Sequence, residues 1–171
     1  VLSDGTPDYD YMERFMKEIE SKALDHLDNL NYVCKKKKTV IDLSHWREFS
    51  ISELFDVVKG SRLTKADMRE GTIRYVGASS FNNGITTYIS NTEHLHPANT
   101  LTVCYNGSDI GRTFYQSETY WATDDVNVLY PKFEMNENLA MFFAPIIKCV
   151  GGLHEYDDKW KLEDMKREII K

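Results

Sequence analysis

The sequence predicts an α+β domain, in which a twisted, mixed and mainly antiparallel sheet of short strands packs against helices and follows an N-terminal amphipathic helix. Three observations support this fold class. Apolar residues recur at helical spacing near the N-terminus, short runs rich in Val, Ile, Thr and Tyr alternate with Asn- and Gly-containing turns, and an apolar helical stretch follows Asn136. The 171 residues suffice for one hydrophobic core, with or without an appendage.

The N-terminal segment is predicted to be a helical arm. From Asp8 onwards, apolar side chains recur at intervals of three and four residues, and Asp8 or Asp10 is placed to cap the helix start. The members of this stripe are Met12, Phe15, Met16, Ile19, Ala23, Leu27 and Leu30. Such a helix buries one face and exposes the other to water.

Two asparagines and four consecutive lysines, Lys35 to Lys38, interrupt the helical pattern. We therefore expect residues 31–45 to be a connector between the arm and the main domain. The predicted domains are residues 1–44, a helical arm with its basic connector, and residues 45–171, the main domain.

The main domain is predicted to begin with a short strand, Trp46 to Ile51, and a helix start at Ser52. A basic loop containing Lys59 to Arg62, and then a short helix capped by Thr64, are expected next. The strand candidates that follow are separated by turn-forming residues. They are Ile73 to Ala78, Ile85 to Ile89, Leu101 to Tyr105, Thr113 to Tyr115 and Val126 to Tyr130.

The C-terminal part is predicted to be largely helical. Asn136 is placed to cap an apolar helix, and Pro145 is expected to kink or shorten it, because proline lacks the backbone N–H that the helix needs. A helical turn at Leu162 to Met165 and an extended piece at Glu168 to Ile170 complete the prediction.

Acidic residues are concentrated in the arm. The net charge is −6, and residues 1–30 hold eight acidic against three basic residues, which leaves −1 for the rest of the chain. Phosphate contacts usually come from an excess of Lys and Arg. The main domain is close enough to neutral that the overall charge does not exclude a nucleic-acid partner.

The cysteines and the hydropathy indicate a cytoplasmic protein. Cys34, Cys104 and Cys149 are far apart and form no CxxC pair, so they are interpreted as reduced thiols. No run of about 18 apolar residues is long enough to span a bilayer. We expect neither a membrane partner nor a cofactor.

Catalytic motifs are missing from the sequence. Gly-x-Ser-x-Gly, the phosphate-binding Gly-x-x-x-x-Gly-Lys-Ser/Thr loop and the Gly-x-Gly-x-x-Gly fingerprint do not occur. His94 and His96 are interpreted as a solvent-exposed pair in a loop, since no carboxylate or cysteine accompanies them at metal-site spacing. We therefore predict neither catalytic nor metal-binding residues.

A metal-dependent nuclease is the enzyme class that stays open as an alternative. Such a site would be built from acidic side chains and a lysine beside a strand. Asp124, Asp125, Glu134 and Lys132 are the candidates.

Several segments in their order resemble one family. They are Phe49 to Phe55 before Lys59-Gly60, Ile73 to Ser80 before Asn82 to Ile85, Asn99 to Val103 before Asn106 to Ser108, Thr113 to Gln116, and Val126 to Leu129. From Trp46 onwards, the chain resembles the target recognition domains of specificity subunits in type I and type IIB restriction-modification systems. The acidic helix around Tyr9 to Glu13 resembles the arm that precedes such a domain.

The resemblance implies a module that binds double-stranded DNA and performs no chemistry itself. Such a subunit usually holds two recognition domains joined by long helices, each reading half of a bipartite site. A methyltransferase subunit docks on those helices, and a restriction subunit can join the complex. This sequence contains one such domain, which leaves open a second recognition domain, a fragment or a homodimer.

Candidate DNA contacts are expected in the loops, because Arg reads guanine and Asn or Gln reads adenine at base edges. They are Lys59, Arg62, Lys65, Ser79, Ser80, Asn82, Asn83, Asn106, Ser108, Arg112, Tyr115 and Trp121. Asn83 and Asn106 each precede a glycine and are alternatively turn formers, and strand aromatics are commonly core residues. A β-rich module that binds a small molecule or a protein is the competing interpretation.

Overall fold

The computed structural model describes residues 6–35, 42–107, 109–154 and 159–171. The chain divides into two compact units, Val1–His45 and Trp46–Lys171. Each is described by itself below.

The first unit contains one long helix, α1 (Tyr9–Lys35). The predicted cap at Asp8 is confirmed, because its carboxylate accepts a hydrogen bond from the Tyr11 N–H at 2.9 Å. The helix continues through residues 31–35, so the prediction that the connector begins at residue 31 was wrong. An asparagine lowers helix stability by less than about 1 kcal/mol, which does not end a helix of this length. Residues 36–38 of the lysine run lie outside the described residues.

The second unit contains the strands and the shorter helices. Its described strands are β1 (Phe49–Ser50), β2 (Phe55–Lys59), β3 (Glu70–Val76), β4 (Ile85–Ile89), β5 (Leu95–His96), β6 (Thr100–Cys104), β7 (Thr113–Gln116), β8 (Tyr120–Ala122), β9 (Val126–Pro131) and β10 (Ile169–Ile170). Its described helices are α2 (Ile51–Leu54), α3 (Glu137–Gly151) and α4 (Leu162–Arg167), with a 3-10 turn at Asn82–Gly84.

The strands confirm the predicted mixed, mainly antiparallel arrangement. In the described part of the chain, β2-β9-β6-β7 and β4-β3-β8-β5 form two four-stranded sheets, and β1 pairs with β10. β3 and β8 are parallel, and the other recorded pairs are antiparallel. The strands were predicted to form one sheet, whereas they form two stacked four-stranded sheets.

Strand β9 shows why the unit has layers. Val126 and Val128 face the second sheet and pack with Val76, Tyr120 and Ala122. Leu129 faces the other way, into the core formed with α2, α3 and α4. Since side chains alternate between the two faces of a strand, a strand buried on both faces shows no simple alternation of apolar and polar residues. The β2-β9-β6-β7 sheet therefore lies between the helices and the other sheet.

The outer face of the second sheet has its own small core. Tyr75, Ile89 and Trp121 pack there, together with Leu63 and Met68 from the segment between β2 and β3. That segment thus covers the sheet.

The segment after Arg62 corrects one prediction. Residues around Thr64 form a turn, in which the Asp67 N–H donates to the Thr64 carbonyl at 3.0 Å and the Thr64 hydroxyl bonds to the Asp67 carboxylate. The predicted helix is wrong, because the hydrogen bonds between Thr64 and Asp67 satisfy the polar groups of these residues within a single turn. The residue after them, Met68, is held in the outer core.

Strands β2, β5 and β8 were not predicted. β2 begins directly at the end of α2, without a turn-forming residue between them. β5 and β8 have two and three residues, too few to show a period, and their pairing with each other and with β3 defines them.

The helix boundaries follow their caps. Helix α2 begins one residue before the predicted start, where the Ser50 N–H donates to the Glu53 carboxylate at 2.6 Å. Asn136 caps α3 as predicted and accepts from the Leu139 N–H at 3.0 Å.

Pro145 does not shorten α3, which continues to Gly151. Pro145 lies on the exposed side of the helix, where water can bond to the carbonyl that lacks a donor.

The histidine pair is split by burial, which corrects the prediction that both are exposed. His94 is exposed, but His96 is 6% exposed in β5, and its Nδ1 lies 2.6 Å from the Tyr130 hydroxyl. The His96 ring also stacks on Tyr120, at 5.4 Å between centroids. Burial lowers the pKa of His96 from its ordinary value, and nearby His94 lowers it further. His96 therefore links the two sheets as a neutral side chain.

Candidate nucleic-acid interface

Several connections of the second unit meet at one end of the stacked sheets. The Gly60 N–H donates to the Val126 carbonyl at 2.9 Å, and the Thr123 N–H donates to the Val76 carbonyl at 2.9 Å. These bonds join the end of β2, the start of β9 and the ends of β3 and β8. We call this region the loop end, and it comprises residues 60–62, 77–84, 105–107, 109–112 and 123–125.

Gly60 permits the closest approach in the loop end. A Cβ added to Gly60 would lie 2.1 Å from the Thr123 carbonyl oxygen, which is backbone and cannot move aside cheaply. Only a residue without a side chain fits. The two residues that follow, Ser61 and Arg62, are therefore held in a fixed position against the 123–125 loop.

Trp121 supports the 60–62 loop by a hydrogen bond from the core. It is 2% exposed, and its indole N–H donates to the Ser61 carbonyl at 2.7 Å. This burial argues against the direct DNA contact predicted for Trp121 and favours the core alternative, because a buried ring has no free face for a base. Trp121 acts on the loop end through Ser61.

Two cations at the end of β2 and in the loop that follows it, Lys59 and Arg62, contact different partners. The Arg62 side chain is 77% exposed, and its guanidinium lies 4.0 Å from the Asp124 carboxylate. Lys59 lies over the ring of Tyr105, with its ammonium nitrogen 5.4 Å from the centroid. The Tyr105 hydroxyl, and then Asp124 and Asp125, raise the pKa of Lys59. Both cations therefore have a neighbouring partner while remaining open to solvent.

The loop after β6 is tied to the same acids. The Asn106 side-chain amide donates to the Asp125 carboxylate at 2.8 Å, and the Tyr105 hydroxyl donates to the Asp124 carbonyl at 2.7 Å. Asn106 thus uses one of its amide donors internally. Ser108, another predicted contact, lies outside the described residues.

The loop after β3 meets Arg112 through a shared aspartate. The Ser80 hydroxyl donates to one oxygen of Asp109 at 3.0 Å, and the Arg112 guanidinium lies 3.6 Å from the other. The neighbouring Ser79 hydroxyl accepts a hydrogen bond from the Phe81 N–H at 3.2 Å. The structure therefore brings Ser80 and Arg112 together through Asp109, with Ser79 next to them in the chain.

Asn83 and Tyr115 use their polar groups internally. The Asn83 amide donates to the Tyr115 carbonyl at 2.8 Å and to the Gln116 side chain at 3.3 Å. The Tyr115 hydroxyl donates to Asn99 at 2.6 Å. For Asn83, these bonds support the turn-former alternative over base reading.

The remaining predicted contacts are exposed. Asn82 donates from its side chain to the Ile85 carbonyl at 3.1 Å and lies at the surface of the loop end. Lys65 is exposed in the 64–67 turn, outside the loop end as defined.

The sequence analysis missed Phe81, whose side chain is 80% exposed in the loop end. The available signal was a single large apolar residue within a run of Ser and Asn. A residue of this kind normally packs inwards.

The nuclease candidates are not brought together. Asp124 and Asp125 precede β9, whereas Lys132 and Glu134 follow it, and a six-residue strand separates the two pairs by roughly 20 Å. Lys132 instead lies 3.2 Å from the Asp56 carboxylate. Within the described ranges, no group of three or more His, Cys, Asp or Glu side chains is arranged to hold a metal ion.

None of the helices in the described part of the chain combines the length and apolarity that a bilayer crossing demands.

This sandwich, with its polar loop end, is the architecture of a known class of domain. Residues 43–164 match the family model of the type I restriction modification DNA specificity domain. The match covers well over half of the chain, and the chain belongs to this family.

A particular relative extends the similarity into the arm. The chain is 32% identical over 165 residues to the specificity subunit S.BcgI of a type II restriction enzyme from Heyndrickxia coagulans. The alignment covers 96% of this chain and 48% of that subunit. The chain therefore spans about half the length of this relative.

Solved structures share the fold at low sequence identity. The S subunit of a type I restriction-modification system from M. genitalium superposes with a TM-score of 0.58 at 19% identity, over 75% of this chain and 37% of that one. The HsdS subunit from Thermoanaerobacter tengcongensis gives a TM-score of 0.53 at 11% identity, over 94% and 43%.

Proposed function

We propose that this chain reads the base sequence of one half of a DNA target for a restriction-modification system, and that a partner enzyme performs the chemistry. The observation that carries this proposal is the loop end, where the guanidinium groups of Arg62 and Arg112 lie 4.0 and 3.6 Å from a carboxylate oxygen. Membership of the specificity-domain family supports it, as does the similarity to a subunit named for specificity.

The geometry favours base reading over phosphate binding. Guanidinium groups carry five N–H donors, so a contact with one aspartate leaves donors free for the O6 and N7 acceptors of guanine. The same aspartates repel phosphates and cancel the positive charge that general DNA affinity requires. We therefore propose that this domain supplies discrimination and that its partner supplies much of the phosphate neutralisation.

The partners follow from this division of work. We propose a methyltransferase subunit as the partner, with a restriction subunit joining the complex in the cytoplasm. A second recognition domain, or a second copy of the chain, would read the other half-site. The 48% coverage of S.BcgI supports the need for a second half.

The N-terminal arm is proposed as a docking element. Residues 1–30 carry the eight acidic and three basic residues noted above, a balance that repels DNA. The apolar side chains Met12, Phe15, Met16, Ile19, Leu24 and Leu27 of α1 are 45–61% exposed. Deleting residues 1–30 should impair subunit assembly or solubility and leave the half-site preference unchanged. A changed preference would place the arm in the DNA surface.

The first test of DNA reading is selection from random duplexes by the full chain assembled with its methyltransferase. Enrichment of one motif supports the proposal. Equal binding of all duplexes at two salt concentrations contradicts it. Methylation mapping in cells that express the intact system gives the motif independently.

Single substitutions then test the two arginines. Arg62→Ala or Arg112→Ala should weaken binding to the selected site by about 1–3 kcal/mol and relax the preference at one base position. Arg69→Ala is the matched control, because Arg69 also pairs with a carboxylate, at 2.6 Å from Glu93, but lies before β3 at the opposite end. Uniform weakening across all sequences would show that Arg62 and Arg112 are not base readers.

A further inference from the structure

Phe81 is an aromatic side chain that the fold leaves in water. It is 80% exposed, although the loop around it contains polar residues that suit a surface far better. A phenylalanine left exposed forgoes the free energy of burying one of the largest apolar side chains. Its exposure leaves the ring accessible to a contact outside the chain.

The backbone that carries Phe81 is fixed on both sides. The Phe81 N–H donates to the Ser79 hydroxyl at 3.2 Å, and the Gly84 N–H donates to the Phe81 carbonyl at 2.9 Å. The Gly77 N–H closes the loop by donating to the Gly84 carbonyl at 2.9 Å. The ring is thus presented from an ordered turn, which reduces the entropy lost on binding.

The neighbours of Phe81 connect it to the arginine that we propose as a base reader. Ser80, the preceding residue, bonds to Asp109, and Asp109 lies beside Arg112. The Phe81 backbone therefore lies one residue from the chain of contacts that joins Ser80, Asp109 and Arg112 in the loop end.

We propose that Phe81 reads thymine by an apolar contact with the C5-methyl group in the major groove. This inference rests on the proposed DNA-reading function. All four base pairs are distinguishable in the major groove, where the thymine methyl is the apolar feature among hydrogen-bonding groups. Phosphates and sugars form a hydrated, charged surface, with which a phenyl ring makes little favourable apolar contact. Phe81 supplies the apolar contact that Arg62 and Arg112 cannot make.

The test replaces each thymine of the selected half-site with deoxyuridine, which removes the methyl group and keeps the base pairing. The full chain in its methyltransferase complex should lose roughly fourfold in affinity at one thymine, the factor expected from one buried methyl group. Phe81→Ala should lose a similar factor on the thymine duplex and bind both duplexes equally. Phe81→Leu, which remains apolar, should keep part of the preference.

A matched control uses Tyr88→Ala. Tyr88 is also an exposed aromatic of the same sheet, but it lies towards the far end of β4 from the loop end. This variant should discriminate thymine from deoxyuridine as the unmodified chain does. Urea unfolding of Phe81→Ala should match the unmodified chain, since an exposed ring contributes little to the core.

The outcomes separate this inference from the proposed function. The role of Phe81 is overturned, while DNA reading stands, if deoxyuridine has no effect at any thymine of the selected motif. The same conclusion follows if Phe81→Ala keeps the full preference for thymine over deoxyuridine. A fluorescence increase of 2-aminopurine placed in the DNA site, if it depends on Phe81 and no thymine responds to deoxyuridine, would show that the ring inserts between base pairs as a wedge. That result also overturns methyl reading. Failure to select any motif overturns both.

Discussion

Asn83 provides a direct test of which loop-end residues face the protein and which face DNA. Its amide donates to the Tyr115 carbonyl at 2.8 Å and to the Gln116 side-chain oxygen at 3.3 Å. Gln116 is fully buried. Asn83 also has a φ of 54°, in the left-handed region that asparagine tolerates better than alanine. Replacing Asn83 by Ala removes both hydrogen bonds and strains the backbone.

The expected loss follows from these two terms. Leaving buried acceptors without a donor costs about 1–3 kcal/mol, and placing alanine in the left-handed region costs about 1 kcal/mol more. Asn83→Ala should therefore lower the free energy of unfolding by about 3 kcal/mol. Asn83→Gly, which relieves the strain but not the loss of hydrogen bonds, should lower it by about 2 kcal/mol.

Asn82 is the matched control, since it has a similar φ of 49° but donates at the surface, to the Ile85 carbonyl. Asn82→Ala should lower the free energy of unfolding by about 1 kcal/mol, because water replaces its hydrogen bond. Urea unfolding followed by tryptophan fluorescence measures all three variants, and binding across single-base variants measures their preference. An Asn83→Ala variant that is no less stable than Asn82→Ala would refute the structural reasoning. A changed base preference without a loss of stability would show that Asn83 reads DNA.

Three further predictions concern packing within the second unit. Gly60→Ala should destabilise the chain and weaken selective binding, because its Cβ would meet the Thr123 carbonyl at 2.1 Å; an unchanged urea midpoint would contradict this. Burial lowers the pKa of His96 in the folded chain, so neutral His96 contributes to the free energy of unfolding above its unfolded pKa of about 6.5. That contribution is lost as the pH falls through and below this value. The His96→Gln variant should show a flatter decline in unfolding free energy between about pH 7 and 5, and equal slopes would argue against it. Burial raises the pKa of Cys104 to about 11, so peptide mapping after brief iodoacetamide treatment of the native chain should find exposed Cys149 alkylated well before Cys104.

Local sequence signals predicted the helices and strands whose defining features lie within a few residues of one another. The apolar stripe from Met12 predicted α1, Asn136 marked the start of α3, and the run Ile85–Ile89 matches β4 at both ends. In each case the periodicity or the cap lies within a few residues, and no distant partner is needed.

The candidate site was predictable in composition but not in its pairing. The sequence analysis selected Arg62, Ser80, Asn106 and Arg112 because they are base-reading residue types in loops. It gave no indication that Asp124 lies beside Arg62 or that Asp109 joins Ser80 to Arg112. Asp109 and Arg112 share one turn, whereas the contacts of Arg62 with Asp124 and of Ser80 with Asp109 join residues far apart in sequence, which only the folded sheets bring together.

The sequence by itself determined the α+β class, the loops that carry polar side chains and the resemblance to specificity domains. The tertiary structure decided the direction in which each side chain points. Trp121 is buried under Ser61, Asn83 turns inward to Gln116, and Phe81 is left in water. The physical reason is that exposure depends on which strand or loop covers a residue, and that cover comes from segments far along the chain, which local periodicity does not record.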